Sequence, residues 1–257
     1  MDIEQHKKKF GTQAENYTKY RLPYIEEVHT LFFSQLPKNS TRVLDIACGT
    51  GKSTEPLVGK GLEIFGVDHD SLMIEEAQKQ AAAKKLSINY SVAEVEKLPF
   101  EDGYFDAVTV GTAFHWFVNE KAVAEIKRVL KAGGPLFIFW TLTTVDVPEA
   151  DAISRDIFQR FNWDKVPREL RDIDHVSSFL KQADFSNVAS ARLPFVHNDT
   201  VEDQVGLMKT ASSYEVLSEE DKKKFIEAIT NDLTLKLGNR PYFTYEEEIQ
   251  AVYGFKS

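Results

Sequence analysis

Short runs of β-branched and aromatic residues alternate with longer segments of helical period through the first 140 residues. The runs predict strands at residues 42–47, 63–68, 88–92, 105–110 and 136–140. This alternation is typical of a parallel sheet whose faces are covered by helices. One covering helix is predicted after Asn119, because apolar residues recur on one face as far as Leu130 and two glycines follow.

The pattern changes after Trp140. Helices are predicted at residues 148–163 and 174–183, followed by strands at residues 188–196 and 249–255. The last two strands are expected to pair with each other. Together with the first five, they make a seven-stranded α/β fold.

The chain between the last two strands, residues 197–245, is predicted to be a helical insertion. Ser218 and Asp221 resemble a capping box, and Gly238 is a plausible end for the amphipathic helix that follows them. Ligands of open α/β sheets bind at the carboxyl ends of the strands. We therefore expect one domain, residues 1–257, in which the insertion acts as a lid over the strand ends and residues 1–36 form an N-terminal helical cover.

Composition narrows the possible partners. The 257 residues are 42% hydrophobic and carry a net charge of −9, which favours a globular protein without nucleic-acid partners. A single cysteine, Cys48, and scattered histidines predict no disulfide and no metal site. No apolar run is long enough to span a membrane, and the first residues do not resemble a secretory signal. We expect a cytoplasmic monomer or homodimer that does not bind membranes.

The most informative stretch is VLDIACGTG, residues 43–51, in which an apolar strand runs into a turn with two glycines. Such a turn lets backbone N–H groups approach a ligand closely. A nucleoside triphosphate site would need a glycine where Ile46 stands, and a dinucleotide fingerprint would have its third glycine where Thr54 stands. S-adenosylmethionine, which has no pyrophosphate, needs only the two glycines present. An acid such as Asp68 after the second strand also suits NAD.

VLDIACGTG resembles the first motif of the class I S-adenosylmethionine-dependent methyltransferases. Further matches follow in the same order: Asp68, then EVEKLPF with FDAVTVGTAFHWF, then KRVLKAGGPLFIF. The details are similar to the type 11 and trans-aconitate methyltransferases. The opening segment shares their recurring residues Phe10, Tyr17, Tyr20, Arg21 and Tyr24. The resemblance implies a doubly wound, Rossmann-like sheet and S-adenosylmethionine as the methyl donor.

The resemblance also implies cofactor-binding residues. These are Tyr17, Arg21, Asp45, Gly49, Gly51, Asp68, Leu72, Met73, Glu94 and Val95. Asp68 would accept hydrogen bonds from the ribose hydroxyls, although it could instead cap the next helix. Asp45 would lie near the cofactor's amino group, or else cap backbone N–H groups of the glycine turn. Leu72 and Met73 would pack against adenine. Glu94 replaces the family's usual aspartate and is one methylene longer.

The acceptor is expected in a pocket lined by Tyr20, Tyr24, His115 and Trp116. The implied reaction is direct in-line displacement onto a small molecule, at a carboxylate or hydroxyl oxygen. His115 is the candidate base for a hydroxyl acceptor, and the alternative is that it only fills the core. Two other functions stay open from the sequence: an NAD-dependent oxidoreductase and a protein that binds S-adenosylmethionine without turnover.

Overall fold

The computed structural model describes residues 10–143, 156–161 and 172–257. It contains a seven-stranded mixed sheet in the order β3-β2-β1-β4-β5-β7-β6, which confirms the predicted fold class. The strands are β1 Arg42–Ile46, β2 Glu63–Asp68, β3 Asn89–Val92, β4 Ala107–Gly111, β5 Pro135–Thr143, β6 Phe185–Asp199 and β7 Phe243–Lys256.

The first five strands are parallel, and β1 lies between β2 and β4. Asp45 of β1 pairs in register with Gly66 of β2 on one side and Thr109 of β4 on the other. Because the order of the strands reverses at β1, the carboxyl ends of β1 and β4 form the switch point where such sheets bind ligands. The fold therefore directs attention to the residues that follow these two strands.

Helices flank the strands in sequence. They are α1 Ala14–Tyr20, α2 Glu26–Gln35, α3 Ser71–Lys84, α4 Glu120–Val129, α5 Ile173–Gln182, α6 Val201–Lys209, α7 Ser212–Glu215 and α8 Glu219–Leu237, with a short helical stretch at residues 156–160. Two predicted caps are confirmed. The Asn119 side chain accepts a hydrogen bond from the Ala122 N–H, and the Ser218 hydroxyl accepts one from the Asp221 N–H. Within the described ranges, no helix has the length and apolar content needed to cross a bilayer.

Several predicted boundaries differ from the structure. The strand predicted from residue 105 begins at Ala107, because Phe105 forms an isolated bridge with Leu130 instead. This bridge also explains why α4 ends at Val129, one residue short of the predicted Leu130. The last two strands are longer than predicted. β6 alternates exposed and partly buried positions over much of its length, so its sequence has no continuous apolar run that would mark its full extent. Most of the helix predicted at 148–163 lies outside the described residues.

The chain forms two compact units. The first consists of Met1–Leu22, Leu142–Val166 and Pro194–Glu248, and the second of Pro23–Thr141, Pro167–Leu193 and Ile249–Ser257. Each has its own hydrophobic core. In the first, residues of α6 and α8 pack with the start of β7, as illustrated by Val205, Phe225, Ile229 and Phe243. In the second, α4 and α5 pack on the sheet. The helices between β6 and β7 thus belong to a unit that buries apolar surface of its own.

Candidate functional site

The glycine turn follows β1 and has an unusual backbone. Ala47, Gly49 and Gly51 all have positive φ, at 54°, 53° and 88°. The two glycines are required for different reasons. A Cβ atom on Gly51 would collide with the Tyr90 hydroxyl of β3, whereas one on Gly49 would meet no atom of the described residues within 4 Å. Protein packing therefore accounts for Gly51, and the open side of the turn is at Gly49.

Asp68, at the carboxyl end of β2, holds this turn in place. Its Oδ2 accepts a hydrogen bond from the Gly49 N–H at 2.9 Å, and its Oδ1 accepts one from the Asp70 N–H at 3.0 Å. The alternative role, capping the next helix, falls to Asp70, whose carboxylate accepts from the Leu72 N–H. Asp68 therefore lies beside the open glycine, but the residue is only 7% exposed and both of its oxygens already accept backbone hydrogen bonds.

Asp45, in β1, is completely buried. Its Oδ2 accepts hydrogen bonds from the Ser53 hydroxyl at 2.7 Å and the Thr54 hydroxyl at 2.6 Å, while its Oδ1 is buried without a hydrogen-bond partner. Burial raises the pKa of Asp45 to about 7, and the nearby Asp68 carboxylate adds to this, while the two hydroxyls lower it. The donors to Asp45 are therefore side-chain hydroxyls, and not the backbone N–H groups of the turn that a capping role would require. The chain after the glycine turn passes close to β1 and brings these two hydroxyls within reach of Asp45.

Sequence reasoning did not identify Ser53 and Thr54 as functional candidates. The sequence pattern marks Thr54 only as the position where a dinucleotide fingerprint would have its third glycine. The available signal was the aspartate inside an apolar strand, since a buried carboxylate needs donors. The structure shows that the hydroxyl residues eight and nine positions later, Ser53 and Thr54, supply them.

The predicted adenine-contacting residues differ in accessibility. The Leu72 side chain, at the start of α3, is 44% exposed, whereas the adjacent Met73 is only 3% exposed. Glu94 is exposed in the loop after β3, and Val95 is half-buried against the main core. This loop runs next to the Asp68 backbone, because the Ala93 N–H donates to the Asp68 carbonyl at 2.9 Å. Leu72 and Glu94 are therefore the accessible members of this set.

A second group of residues gathers at the carboxyl end of β4. The Tyr24 and Thr112 hydroxyls form a hydrogen bond of 2.8 Å, and the Tyr24 ring lies edge-on to Phe139 of β5 with centroids 4.7 Å apart. Thr112 has a φ of 55°, which is rare for a β-branched residue, and its N–H donates to the Phe139 carbonyl. The structure thus places Tyr24 at this strand end together with Thr112, which sequence reasoning missed.

His115 and Trp116 follow within a short 3₁₀ helix, Phe114–Trp116. Their ring centroids are 4.8 Å apart. His115 is 7% exposed, and the partly buried Trp116 packs against the main core. Both residues lie after β4, as the sequence predicted, but little of the imidazole surface is accessible.

Three of the predicted site residues, Tyr17, Tyr20 and Arg21, belong to the first compact unit. The Arg21 guanidinium lies over the Tyr17 ring at 5.2 Å, and its Nε donates to the Thr210 hydroxyl. Tyr20 packs directly on Gly206 of α6. The glycine turn, Tyr24 and His115 belong to the second unit, so the structure divides the predicted set between the two.

Cys48 is buried in a small apolar cluster with Tyr90. Burial raises the pKa of its thiol, so it stays protonated at neutral pH and is a poor nucleophile. In the portions of the chain that the structure covers, no group of histidine, cysteine and carboxylate side chains is arranged to hold a metal ion.

Comparisons with known proteins find methyltransferases among the relatives of this chain. The type 11 family model, described as a methyltransferase domain, matches residues 44–138. An uncharacterized methyltransferase of Mycobacterium bovis is 34% identical over 131 residues, which is 51% of each chain. A demethylmenaquinone methyltransferase of Thermus thermophilus is 40% identical over 106 residues, 40% of this chain and 48% of that one. The chain thus spans about half the length of these curated relatives.

Structural similarity extends further along the chain. A candidate type II methyltransferase from Anaeromyxobacter dehalogenans superimposes with a TM-score of 0.67 and 21% identity, over 92% of this chain and 98% of that one. At this level of identity, the likeness shows the fold alone. The sequence match covers the segment from β1 into β5, which contains the glycine turn, Asp68 and His115.

Proposed function

Because this chain belongs to the class I S-adenosylmethionine-dependent methyltransferases, we propose that it transfers a methyl group from S-adenosylmethionine to a small-molecule acceptor. The observation that carries the proposal is the pairing of Asp68 with the Gly49 N–H beside an open face of the glycine turn. A carboxylate and close backbone approach at one point suit a ligand with ribose hydroxyls. When bound, S-adenosylmethionine supplies an electrophilic methyl group on a sulfonium.

We propose the following cofactor-binding roles, which the resemblance to the methyltransferases implies. Asp68 accepts from the ribose hydroxyls, Leu72 covers one face of adenine, and Glu94 accepts from the adenine amino group. Asp45 provides negative charge next to the cofactor's ammonium group. Arg21 is the residue whose planar guanidinium can bind a carboxylate with two hydrogen bonds. Val95, Gly51, Met73 and Tyr17 complete the proposed cofactor set.

The proposed acceptor is a small molecule with a nucleophilic oxygen. The Thermus thermophilus relative is named for demethylmenaquinone, a small molecule, and the net charge of −9 disfavours an acceptor made of nucleic acid. Tyr20, Tyr24, His115 and Trp116 are the residues proposed to contact it. A carboxylate acceptor is already ionised at pH 7 and needs no base. A phenol or alcohol would gain from His115 as general base, an effect of about 100-fold or more.

The test is an incubation of the purified protein with S-adenosylmethionine labelled in its methyl group and a panel of carboxylates, phenols, quinols and amines. The proposal predicts label in an oxygen-methylated product, and none when Gly49→Val replaces the wild type. Label found only on amines or carbon would refute the oxygen acceptor. Cofactor binding without transfer to any member of the panel would favour the non-catalytic alternative.

The NAD-dependent alternative is tested in the same preparation. Spectroscopic titration with NADH would reveal a nicotinamide site, because binding changes the cofactor's fluorescence. The proposal predicts no change in NADH fluorescence at concentrations that saturate the protein with S-adenosylhomocysteine. Competition between the two ligands would instead support a dinucleotide site at the glycine turn.

A further inference from the structure

The Asp45 carboxyl group is placed asymmetrically. One oxygen accepts two hydroxyl hydrogen bonds, from Ser53 and Thr54, and the other is buried with no partner. Among the described residues, no lysine, arginine or histidine side chain pairs with it. A fully buried carboxylate normally needs a cation or several donors to stay ionised. Here the protein supplies only two neutral donors, both to the same oxygen.

The titratable groups around Asp45 do not supply the missing positive charge. Asp68 faces it from the end of β2 and, as a carboxylate, disfavours ionisation of Asp45. Cys48 in the glycine turn and Tyr90 on β3 interact electrostatically with Asp45, and burial raises the pKa of both groups, so both are neutral. With an elevated pKa of its own, Asp45 is mostly protonated below neutral pH in the ligand-free protein.

We propose that binding of a cationic ligand at the glycine turn removes a proton from Asp45, and that Ser53 and Thr54 are positioning residues that set the pH at which this happens. The inference rests on the proposed function, because the cation is the ammonium group of S-adenosylmethionine or of its demethylated product. The ammonium keeps its own proton, and the Asp45 proton passes to the buffer. Ionised Asp45 then compensates the ligand's charge.

The two hydroxyls matter because a donor stabilises the charged carboxylate more than the neutral acid. Removing either one raises the pKa of Asp45 and leaves less of the ionised form at a given pH. Ligand affinity should therefore fall at low pH, where Asp45 must lose its proton first. At high pH the carboxylate is ionised before binding, so the loss should disappear. A variant with a general packing defect would be weaker at every pH.

The first experiment uses the wild-type chain alone. Calorimetric titrations with S-adenosylhomocysteine in buffers of different ionisation enthalpy give the number of protons released. We expect release of most of a proton per ligand at pH 6 and much less at pH 8.5, because the pKa of Asp45 in the ligand-free protein is raised to about 7. The matched ligand is 5′-methylthioadenosine, which keeps the nucleoside and lacks the ammonium group. Its binding should release no proton.

The second experiment compares Thr54→Val with Thr109→Val. Both replacements are nearly isosteric, and Thr109 is paired in register with Asp45 on the neighbouring strand but does not hydrogen-bond to it. Thr54→Val should weaken S-adenosylhomocysteine binding about tenfold at pH 6 and by less than about twofold at pH 9, the pattern of a pKa raised by about one unit. Thr109→Val should show no such pH-dependent loss.

Distinct results overturn the two proposals. If S-adenosylhomocysteine does not bind to the wild type, the proposed function fails, and this inference fails with it. If it binds without proton release at pH 6, or if Asp45→Asn releases the same number of protons, this inference alone fails. Equal losses for Thr54→Val at pH 6 and pH 9 would show that the hydroxyl is only structural.

Discussion

Two buried aspartates at opposite ends of the same sheet have contrasting environments. Asp106 lies at the amino end of β4, where Lys131 donates to it at 2.6 Å and the N–H groups of Thr41 and Arg42 donate at 2.8 and 2.9 Å. Burial acts to raise the pKa of Asp106, but these donors outweigh it, and the pKa lies below its ordinary value. Asp45, by contrast, pairs with no cationic side chain of the described residues, and its Oδ1 has no hydrogen-bond partner among them.

The difference distinguishes a structural carboxylate from one suited to a ligand. Asp106 ties the starts of β1 and β4 together through charge-assisted hydrogen bonds that are complete in the folded chain. Asp45 is held at the carboxyl ends of the strands, where ligands of such sheets bind, with its electrostatic interactions incomplete. A buried carboxylate that lacks a cation and has an unpartnered oxygen lowers the free energy of unfolding. Groups of this kind are common at functional sites.

The largest effect is expected from Gly49→Val. A β-branched side chain at this positive φ is strained, and it would occupy the open side of the turn next to Asp68. We expect cofactor binding to be abolished while circular dichroism still reports a folded chain. Gly59→Val is the matched control, because Gly59 also has positive φ and open space but precedes the amino end of β2. It should retain binding. Normal binding by a folded Gly49→Val protein would remove the turn from the cofactor site.

Asp45→Asn should have the second-largest effect, on the stability of the ligand-free protein. The folded-state pKa is raised from 3.8 to about 7, so stability that is present below pH 4 is lost as the pH rises to about 7. The variant has no such loss. Relative to wild type, its free energy of unfolding should rise over this range by up to roughly 4 kcal/mol. Urea denaturation at pH 4, 6 and 8 measures it. A difference that does not vary with pH would contradict the raised pKa.

Asp68→Ala should weaken S-adenosylhomocysteine binding by roughly 1 to 3 kcal/mol, the range for losing hydrogen bonds to a charged group. It also removes the bond that holds the Gly49 N–H, which adds to the loss. Asp70→Ala is the control, since it removes the cap of α3 and leaves the Asp68 carboxylate in place. Isothermal titration calorimetry at pH 7.5 compares the two. Unchanged affinity in Asp68→Ala would mean that this carboxylate only holds the turn.

Asp106→Asn should give the smallest effect, a destabilisation of roughly 1 to 2 kcal/mol at pH 7, since Lys131 is partly exposed and solvent screens the pair. Because the pKa of Asp106 is lowered in the folded state, ionised Asp106 adds to the free energy of unfolding above the ordinary pKa of aspartate. This contribution is lost as the pH falls below that value, so the difference in stability between wild type and variant should shrink. Cofactor binding should not change. If Asp106→Asn were more stable than wild type at pH 7, Asp106 would not be a stabilising carboxylate, and the proposed difference between Asp106 and Asp45 would be wrong.

Local patterns predicted much of this molecule. The apolar run of β1 and the turn that follows were evident because strand, glycine and acid are consecutive in the chain. The Asn119 cap was evident because the cap and the N–H group it accepts from are three residues apart. The boundary at Phe105 was not predicted, because the bridge to Leu130 that removes it from β4 is a tertiary contact.

Other features of the site depend on contacts between residues that are far apart in the sequence, and the local sequence pattern does not reveal such contacts. Tyr90 packs on Gly51 from another strand, so packing explains a glycine that the pattern associated with the ligand. Thr112 adopts a left-handed backbone that its side chain disfavours, and Tyr24 reaches it from 88 residues away in sequence. Only the tertiary structure could reveal that Tyr24 hydrogen-bonds at the end of β4.

We infer that the glycine turn, with Asp45 and Asp68, binds S-adenosylmethionine. The most direct test of this claim is calorimetric titration of the wild-type protein at pH 7.5 with S-adenosylmethionine, S-adenosylhomocysteine, NAD and ATP. We predict micromolar affinity for the first two ligands and no measurable binding of NAD or ATP. Tight binding of NAD, with no binding of S-adenosylmethionine, would contradict the claim.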